Sequence, residues 1–178
     1  MKHDILIVDL KKHRLIGEAA YGKYFRLNSK KGVKIFKSWG YSKPESAIKR
    51  MGVATQEALN LKKAEKSKLT PKLYKVCIAQ VGKQYYPAIV MQHFENHETA
   101  SKVYFEDFNG DSDLLKFSKS LRIKKLTGIQ DLYNIVAKRF ENRTKAYHAD
   151  MHGANVLLKV NKGIVTSVKL VDICSVHW

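Results

Sequence analysis

Apolar and polar positions follow a short period over the first forty residues and a longer one after that. Residues 5–10 read as a short strand, and 15–27 carry Gly17 and Gly22 between stretches suited to the two strands of a hairpin. A polar turn at 28–32 leads to a β-branched and aromatic stretch at 33–36, so a twisted antiparallel sheet is expected here. From Pro44 the spacing lengthens. Ile48, Met51, Ala54, Ala58, Leu59 and Leu61 recur every three to four residues up to Ala64, which predicts one amphipathic helix, capped by Ser42 or Ser46 and broken near Gly52. Thr70 and Pro71 end it. Strands are expected at 73–79 and 86–92 about Gly82 and Lys83, and 96–113 reads as a hinge followed by a polar loop.

In the remainder, 114–121 suggests a short helix. Residues 128–140 place Ile129, Leu132, Ile135, Val136 and Phe140 on one helical face. Two strands, 155–160 and 164–171, close the sequence about Asn161, Lys162 and Gly163. No internal repeat or low-complexity tract is visible.

The 178 residues suit one ordinary domain, or two small lobes sharing a cleft. With 44% hydrophobic and 28% charged residues, the chain reads as globular rather than fibrous or disordered. No apolar run is long enough to span a bilayer, and the start lacks a signal-peptide pattern, so a cytoplasmic protein is expected, in a host cell if it comes from a phage or pathogen. Cys77 and Cys174 lack the spacing of a zinc site. Charge changes the picture more. Of the net +17, +13 lies in residues 1–80, which hold 19 of the 33 basic and 6 of the 16 acidic residues. A basic half of this kind attracts nucleic acid, an anionic membrane surface or an acidic protein, or simply forms a solvated lysine-rich surface. No interleaved aromatic motif of an RNA-binding domain accompanies it.

Candidate chemistry centres on residues 148–155, His-Ala-Asp-Met-His-Gly-Ala-Asn, followed by apolar Val156, Leu157 and Leu158. An Asp beside an acceptor hydroxyl orients it and takes its proton, and an Asn five residues later binds magnesium; Asp150 and Asn155 have that spacing. The segment resembles the catalytic loop of the protein-kinase-like superfamily. The small residue after His148 and the second histidine, His152, resemble the atypical kinases of the RIO family and the aminoglycoside and choline kinases. Asp172 ends an apolar stretch seventeen positions after Asn155, where the resemblance implies a second magnesium ligand; Ile173 and Cys174 stand in place of the Phe and Gly of the usual motif.

Further resemblances precede these in the order the family requires. Gly17, Ala19 and Gly22 occupy the glycine positions of a GxGxxG loop, with Ala19 for the middle glycine. Lys34 shares a face with Gly32, the slot of the small residue that packs against adenine, and is implied to hold the phosphates, with Lys37 as the fallback. Glu57 resembles the helix glutamate that pairs with that lysine. Met91 takes the gatekeeper position, and Gln92, His93 and Phe94 resemble a hinge that offers backbone hydrogen bonds to adenine.

The resemblance spans roughly residues 13–176. It implies a bilobal α+β kinase-like fold. Residues 1–95 would form an N-lobe with a five-stranded antiparallel sheet, and 96–178 a truncated, mainly helical C-lobe with a small hairpin and no activation segment. The activity implied is ATP- and Mg²⁺-dependent phosphotransfer, with Lys34, Asp150 and Asn155 catalytic, His148 supporting the loop, and Asn155 and Asp172 on the metal. The acceptor would be a protein Ser or Thr hydroxyl, the enzyme itself or a small metabolite. Partners would be a protein substrate or an acidic protein, with nucleic acid open through the basic half; the oligomeric state is not indicated. Two other readings are a pseudokinase-type binding module, since the sequence runs only six residues past Asp172, and a metallohydrolase using His148, Asp150 and His152 on one strand face with Asp172 and His177.

Overall fold

The computed structural model describes residues 7–19, 22–36, 40–107, 110–111, 115–123, 126–173 and 176–177. Lys37 and Cys174 lie outside them. The chain divides into two compact units, one comprising residues 1–62 and 72–95 and the other 63–71 and 96–178.

The first unit is built on six strands: β1 (Ile7–Asp9), β2 (Arg14–Ala19), β3 (Gly22–Arg26), β4 (Lys31–Phe36), β5 (Leu73–Val81) and β6 (Gln84–Gln92). Their order is β1-β5-β6-β4-β3-β2. Five strands pair antiparallel as expected, but β1 adds a sixth, parallel to β5 through Ile7–Ile78, Val8–Ala79 and Asp9–Gln80. A three-residue strand carries no signal of its direction. What fixes it is Leu10, which follows at 2% exposure and packs with Phe25, Val33, Ile35, Cys77, Ala79, Ala88 and Val90. Burying one leucine contributes about 2 kcal/mol, enough to anchor so short an edge. Asp9 then accepts from Lys11 N–H at 3.0 Å and turns the chain away.

Turn chemistry sets the register. Asn28 Oδ1 accepts from Lys30 N–H and Lys31 N–H, both at 2.9 Å, which closes the β3–β4 hairpin. Gly82, at φ 63°, closes β5–β6. The helix expected over 44–64 is two: α1 (Pro44–Ile48), opened by proline, and α2 (Gly52–Ala64). Ala54, Glu57, Ala58, Asn60, Leu61 and Ala64 are the buried positions of α2, so a carboxylate and an amide stand among apolar residues.

Among its described residues the second unit contains one long helix, α4 (Ile129–Thr144), which buries Leu132, Tyr133, Val136, Phe140 and Thr144. Lys145 adopts the left-handed conformation at φ 61° and its N–H bonds Glu141 O at 2.7 Å, ending the helix. Strands supply the rest of the frame. β7 (Glu98–Thr99), β8 (Lys116–Phe117), β10 (Val156–Asn161) and β11 (Ile164–Leu170) form a sheet ordered β7-β10-β11-β8. Lys162 and Gly163, both at positive φ, make the β10–β11 turn. The helix expected over 114–121 is instead β8 followed by a 3₁₀ turn at Lys119–Leu121, because Lys116 and Phe117 pair with Ile164 and Val165. That tertiary pairing outweighs a short apolar pattern. Short α3 (Ala100–Lys102) is capped by Thr99, and β9 (Tyr147–His148) pairs with β12 (Val176–His177).

Candidate functional site

In the first unit, the register of β3 on β4 pairs Gly22 with Phe36, Tyr24 with Lys34 and Arg26 with Gly32. These six therefore share one face, while Phe25, Val33 and Ile35 point to the core on the other. Lys34, 8% exposed, meets Glu57, 2% exposed, with Nζ donating to Oε1 at 3.0 Å and to Oε2 at 2.7 Å. Nζ also lies 5.3 Å from the Phe36 ring centroid. Removing either charge from water costs several kcal/mol, and apolar residues would fill the space at no such cost. A buried pair of this kind points to use rather than stability alone.

The glycine positions differ from one another. A side chain at Gly17 would meet nothing within 4 Å, and the strand is irregular there, between Leu15 and Gly17. At Gly22 a Cβ would come within 2.5 Å of Ile35 O and 3.5 Å of Lys34 Cε, so packing on β4 demands a glycine. Ala19 pairs with Gly22 across the hairpin.

Met91, buried, pairs with both Gly32 and Leu73. Gln92 N–H donates to Lys72 O at 2.8 Å and His93 N–H to Lys30 O at 2.9 Å, so these two backbone donors are engaged within the unit; Phe94 is 9% exposed. The Tyr24 hydroxyl and His93 Nδ1 are hydrogen-bonded at 3.2 Å. Burial, reinforced by the Arg26 charge and partly opposed by Glu95, holds the His93 pKa below its ordinary value.

In the second unit, the loop after β9 gathers His148, Asp150, His152 and Asn155. His148 is 2% exposed and its ring packs edge-on against Phe140, with centroids 6.2 Å apart. Its Nδ1 accepts from Asp150 N–H at 3.2 Å, which leaves the proton on Nε2, a buried atom beside the Val171 and Asp172 backbone. Burial holds its pKa below the ordinary value against the opposing pull of the Val171 backbone and the Asp150 and Asp172 carboxylates. The histidine is thus a neutral prop under the Asp150 backbone.

Asn155 is buried and works through its amide nitrogen, which donates to Asp150 O at 2.8 Å and to Asp150 Oδ2 at 3.2 Å. His152 Nδ1 accepts from Ala154 N–H at 3.2 Å, so its proton sits on Nε2, 3.4 Å from Asp150 Oδ1. Asn155 Nδ2 lies 3.1 Å from that same nitrogen, so both side chains converge on the Asp150 carboxylate. Asp150 itself is half open to solvent.

The β10–β11 hairpin brings Asp172 to this loop. Val156 pairs with Leu170, and Val171 N–H donates to Asn155 O at 2.9 Å, so Asn155 and Asp172 flank one rung of the hairpin's end. Asp172 takes φ 54°, a left-handed conformation that Asp tolerates better than most residues. Asn155 Oδ1 and the Asp172 carboxylate are the oxygens here that could serve a magnesium ion, which needs few protein ligands because it keeps water and phosphate oxygens. The HxDxH triad does not form. Strand β9 stops at His148, whose ring is buried while Asp150 and His152 are exposed, and no cluster of three or more His, Cys, Asp or Glu suited to a metal occurs among the described residues. His177 pairs with Tyr147 in β12.

Two residues escaped the sequence reading. Tyr24 lies over Gly32, and Gly153 lies where a Cβ would collide with Ser101 Oγ and the Tyr133 hydroxyl. The β3–β4 register puts Tyr24 on the Lys34 face, and no local pattern in the sequence signalled either contact.

No family model matches the chain, and no curated protein matches it. Among solved structures it is similar to the one described as "Co-crystal structure of WbdD and kinase inhibitor LY294002", with a TM-score of 0.53 and 14% identity over 92% of this chain. The chain spans 33% of that protein's length. The likeness is one of fold: a mixed α+β, kinase-like arrangement of antiparallel sheet and few helices. No described helix is long and apolar enough to cross a membrane.

Proposed function

We propose that the chain is an ATP- and Mg²⁺-dependent phosphotransferase of an atypical, RIO-like kinase type, acting on a Ser or Thr hydroxyl of a protein or of itself. The observation that carries the reading is the buried ion pair of Lys34 and Glu57, at 3.0 and 2.7 Å, on the sheet face that also bears Gly22 and Gly32. A lysine so held has its ammonium fixed in direction, which suits it to bind phosphate oxygens.

Under this reading residues 1–95 grip the nucleotide and 96–178 carry the chemistry. Asp150, half exposed and steadied by Asn155 and His148, orients the acceptor hydroxyl and takes its proton as the phosphoryl group is transferred. Asn155 and Asp172 would hold Mg²⁺, which when bound neutralises charge on the phosphates. Glu57 keeps Lys34 in place. The lysine-rich first half, with its excess of 13 positive charges, favours an acidic protein as partner or substrate in the cytoplasm.

Incubation of the purified chain with labelled ATP and Mg²⁺, alone and with acidic protein acceptors, tests the reading. Transfer that vanishes in Asp150→Ala and Asp172→Ala supports it. Transfer at the wild-type rate in either variant rules out these roles, and failure of the wild type to bind ATP rules out the nucleotide site.

A further inference from the structure

The second unit carries a concentration of positive charge that the phosphotransfer reading does not use. Arg139 and Arg143 stand one turn apart on α4 and so leave the helix on the same side. Arg139 Nη2 donates to the carbonyl of Leu121 and, at 3.2 Å, to that of Arg122, which ties the exposed Arg122 to this side of α4. Arg143 Nη1 donates to Ser67 O at 2.6 Å, and Lys169 Nζ, from β11, donates to the next carbonyl, Lys68 O, at 2.8 Å. Two cationic heads thus sit on successive peptide groups of one turn, and the four residues make a row in the order Arg122, Arg139, Arg143, Lys169.

The charges act on one another in that same order. Burial, then the charge of Arg143, then that of Arg122 lower the Arg139 pKa, and burial followed by Arg143 lowers that of Lys169. Among the described residues no carboxylate pairs with any of the three arginines. Glu141 is two positions from each arginine of α4 and so faces elsewhere. Backbone carbonyls therefore hold the row together against its own repulsion. Each α4 arginine spends one terminal nitrogen on this, Nη2 for Arg139 and Nη1 for Arg143, so donors of the guanidinium fork remain for a ligand. Arg122 and Arg143 are exposed, and Arg139 and Lys169 are half-buried.

Fixed cations in a row suit an anion that repeats along a line. An acidic peptide would need apolar anchors beside the charges, and none of the exposed large hydrophobic residues belongs to the row. The row also contains no aromatic residue on which a base could stack, so phosphate contact is what it offers. We propose that Arg122, Arg139, Arg143 and Lys169 form a site for the phosphate backbone of nucleic acid, which they bind without regard to base sequence. All four lie in the second unit, and the site does not depend on the nucleotide reading.

Fluorescence anisotropy of a labelled oligothymidylate of about 20 nucleotides, titrated with the full chain from about 50 to 200 mM KCl, tests this through the salt slope. Each phosphate neutralised on a single strand contributes about −0.7 to the slope of log affinity against log salt. Arg122→Gln with Arg143→Gln should reduce the slope by about 1.4 and weaken binding at least roughly tenfold at low salt. Arg122→Gln alone replaces an exposed side chain whose backbone carbonyl carries the Arg139 contact, so the fold is kept and the slope should fall by about 0.7. Lys83→Gln removes one charge from the exposed β5–β6 turn of the first unit and should bind as the wild type does. If Lys83→Gln and Arg122→Gln weaken binding equally, the net charge attracts the strand and the site is overturned. Absence of wild-type binding at about 50 mM KCl overturns it as well. So does an Arg122→Gln protein that keeps the oligonucleotide but loses polyglutamate or phosphatidylserine vesicles, since the row would then serve an acidic protein or a membrane.

Discussion

Lys34 Nζ donates to both carboxylate oxygens of Glu57, at 3.0 and 2.7 Å, and both residues are almost wholly removed from solvent. Truncating one member leaves the other buried and uncompensated, which costs about 3–5 kcal/mol, whereas replacing both with apolar residues of similar volume is often close to neutral. Lys34→Met and Glu57→Met should therefore each lower the urea midpoint strongly, and the double variant should recover most of the loss while remaining without phosphotransfer. If the double variant is as unstable as the sum of the singles, the pair is not an isolated interaction, and the Phe36 contact or others carry the energy.

The two glycines of the β2–β3 hairpin should respond in opposite ways. Gly22→Ala forces a Cβ to within 2.5 Å of the Ile35 carbonyl, a backbone atom held in the β3–β4 ladder, so a loss of about 1–3 kcal/mol is expected. Gly17→Ala meets open space and should leave the melting temperature almost unchanged. If the hairpin covers phosphates, Gly17→Ala still raises KM for ATP. A thermal melt paired with steady-state kinetics separates packing from ligand approach, and equal destabilisation by both changes would contradict this arrangement of the hairpin.

The parts of the fold legible in the sequence were those written in short-range pattern. The β-branched and aromatic stretch from Val33 to Phe36 declares β4; Gly52 interrupts the helical spacing where α1 gives way to α2; Lys162 and Gly163 announce the turn of β10–β11. Period-two alternation placed Lys34 on the face of Gly32, while the pairing of Glu57 with it came from the family resemblance rather than from spacing. What stayed hidden depends on partners distant in sequence. The parallel direction of β1 is set by where Leu10 packs, β8 exists because Ile164 and Val165 offer it an edge, and the fit of Tyr24 to Gly32 appears only once β3 lies on β4. The Gln92 and His93 donors, open in the sequence, are engaged by Lys72 and Lys30 for the same reason.

Acid should weaken the first unit through His93. Burial, then the Arg26 charge, lowers its pKa below the ordinary 6.5, with Glu95 opposing; the Tyr24 hydroxyl faces the same ring. Between 6.5 and the lowered folded value, the unfolded chain binds a proton that the folded chain refuses, so stability contributed by the neutral ring is complete above 6.5 and is lost as pH falls through that window. Comparing urea midpoints of the wild type and His93→Gln at descending pH isolates the effect. The wild type's advantage should shrink below neutrality, and parallel curves for the two proteins would show that His93 titrates alike in both states.

Gly153 offers the sharpest test of the loop that carries Asp150. A methyl group there would strike Ser101 Oγ and the Tyr133 hydroxyl and would come within 3.0 Å of Ser101 N, whose N–H donates to Gly153 O at 3.3 Å. Side-chain atoms can turn aside, but the backbone contact fixes the spacing between the loop and α3. Gly153→Ala should thus cost about 1–3 kcal/mol and move the chain between His152 and Asn155. Because Asn155 Nδ2 holds both the carbonyl and the carboxylate of Asp150, that movement misplaces the proposed base, and phosphotransfer should fall further than stability alone explains. Adding Ser101→Ala removes one collision and should restore part of the melting temperature, yet less of the activity, since the backbone contact remains. Full recovery of both by Ser101→Ala would mean that the hydroxyl alone sets the fit, and an unaffected Gly153→Ala protein would mean that the loop does not pack on α3 in this way.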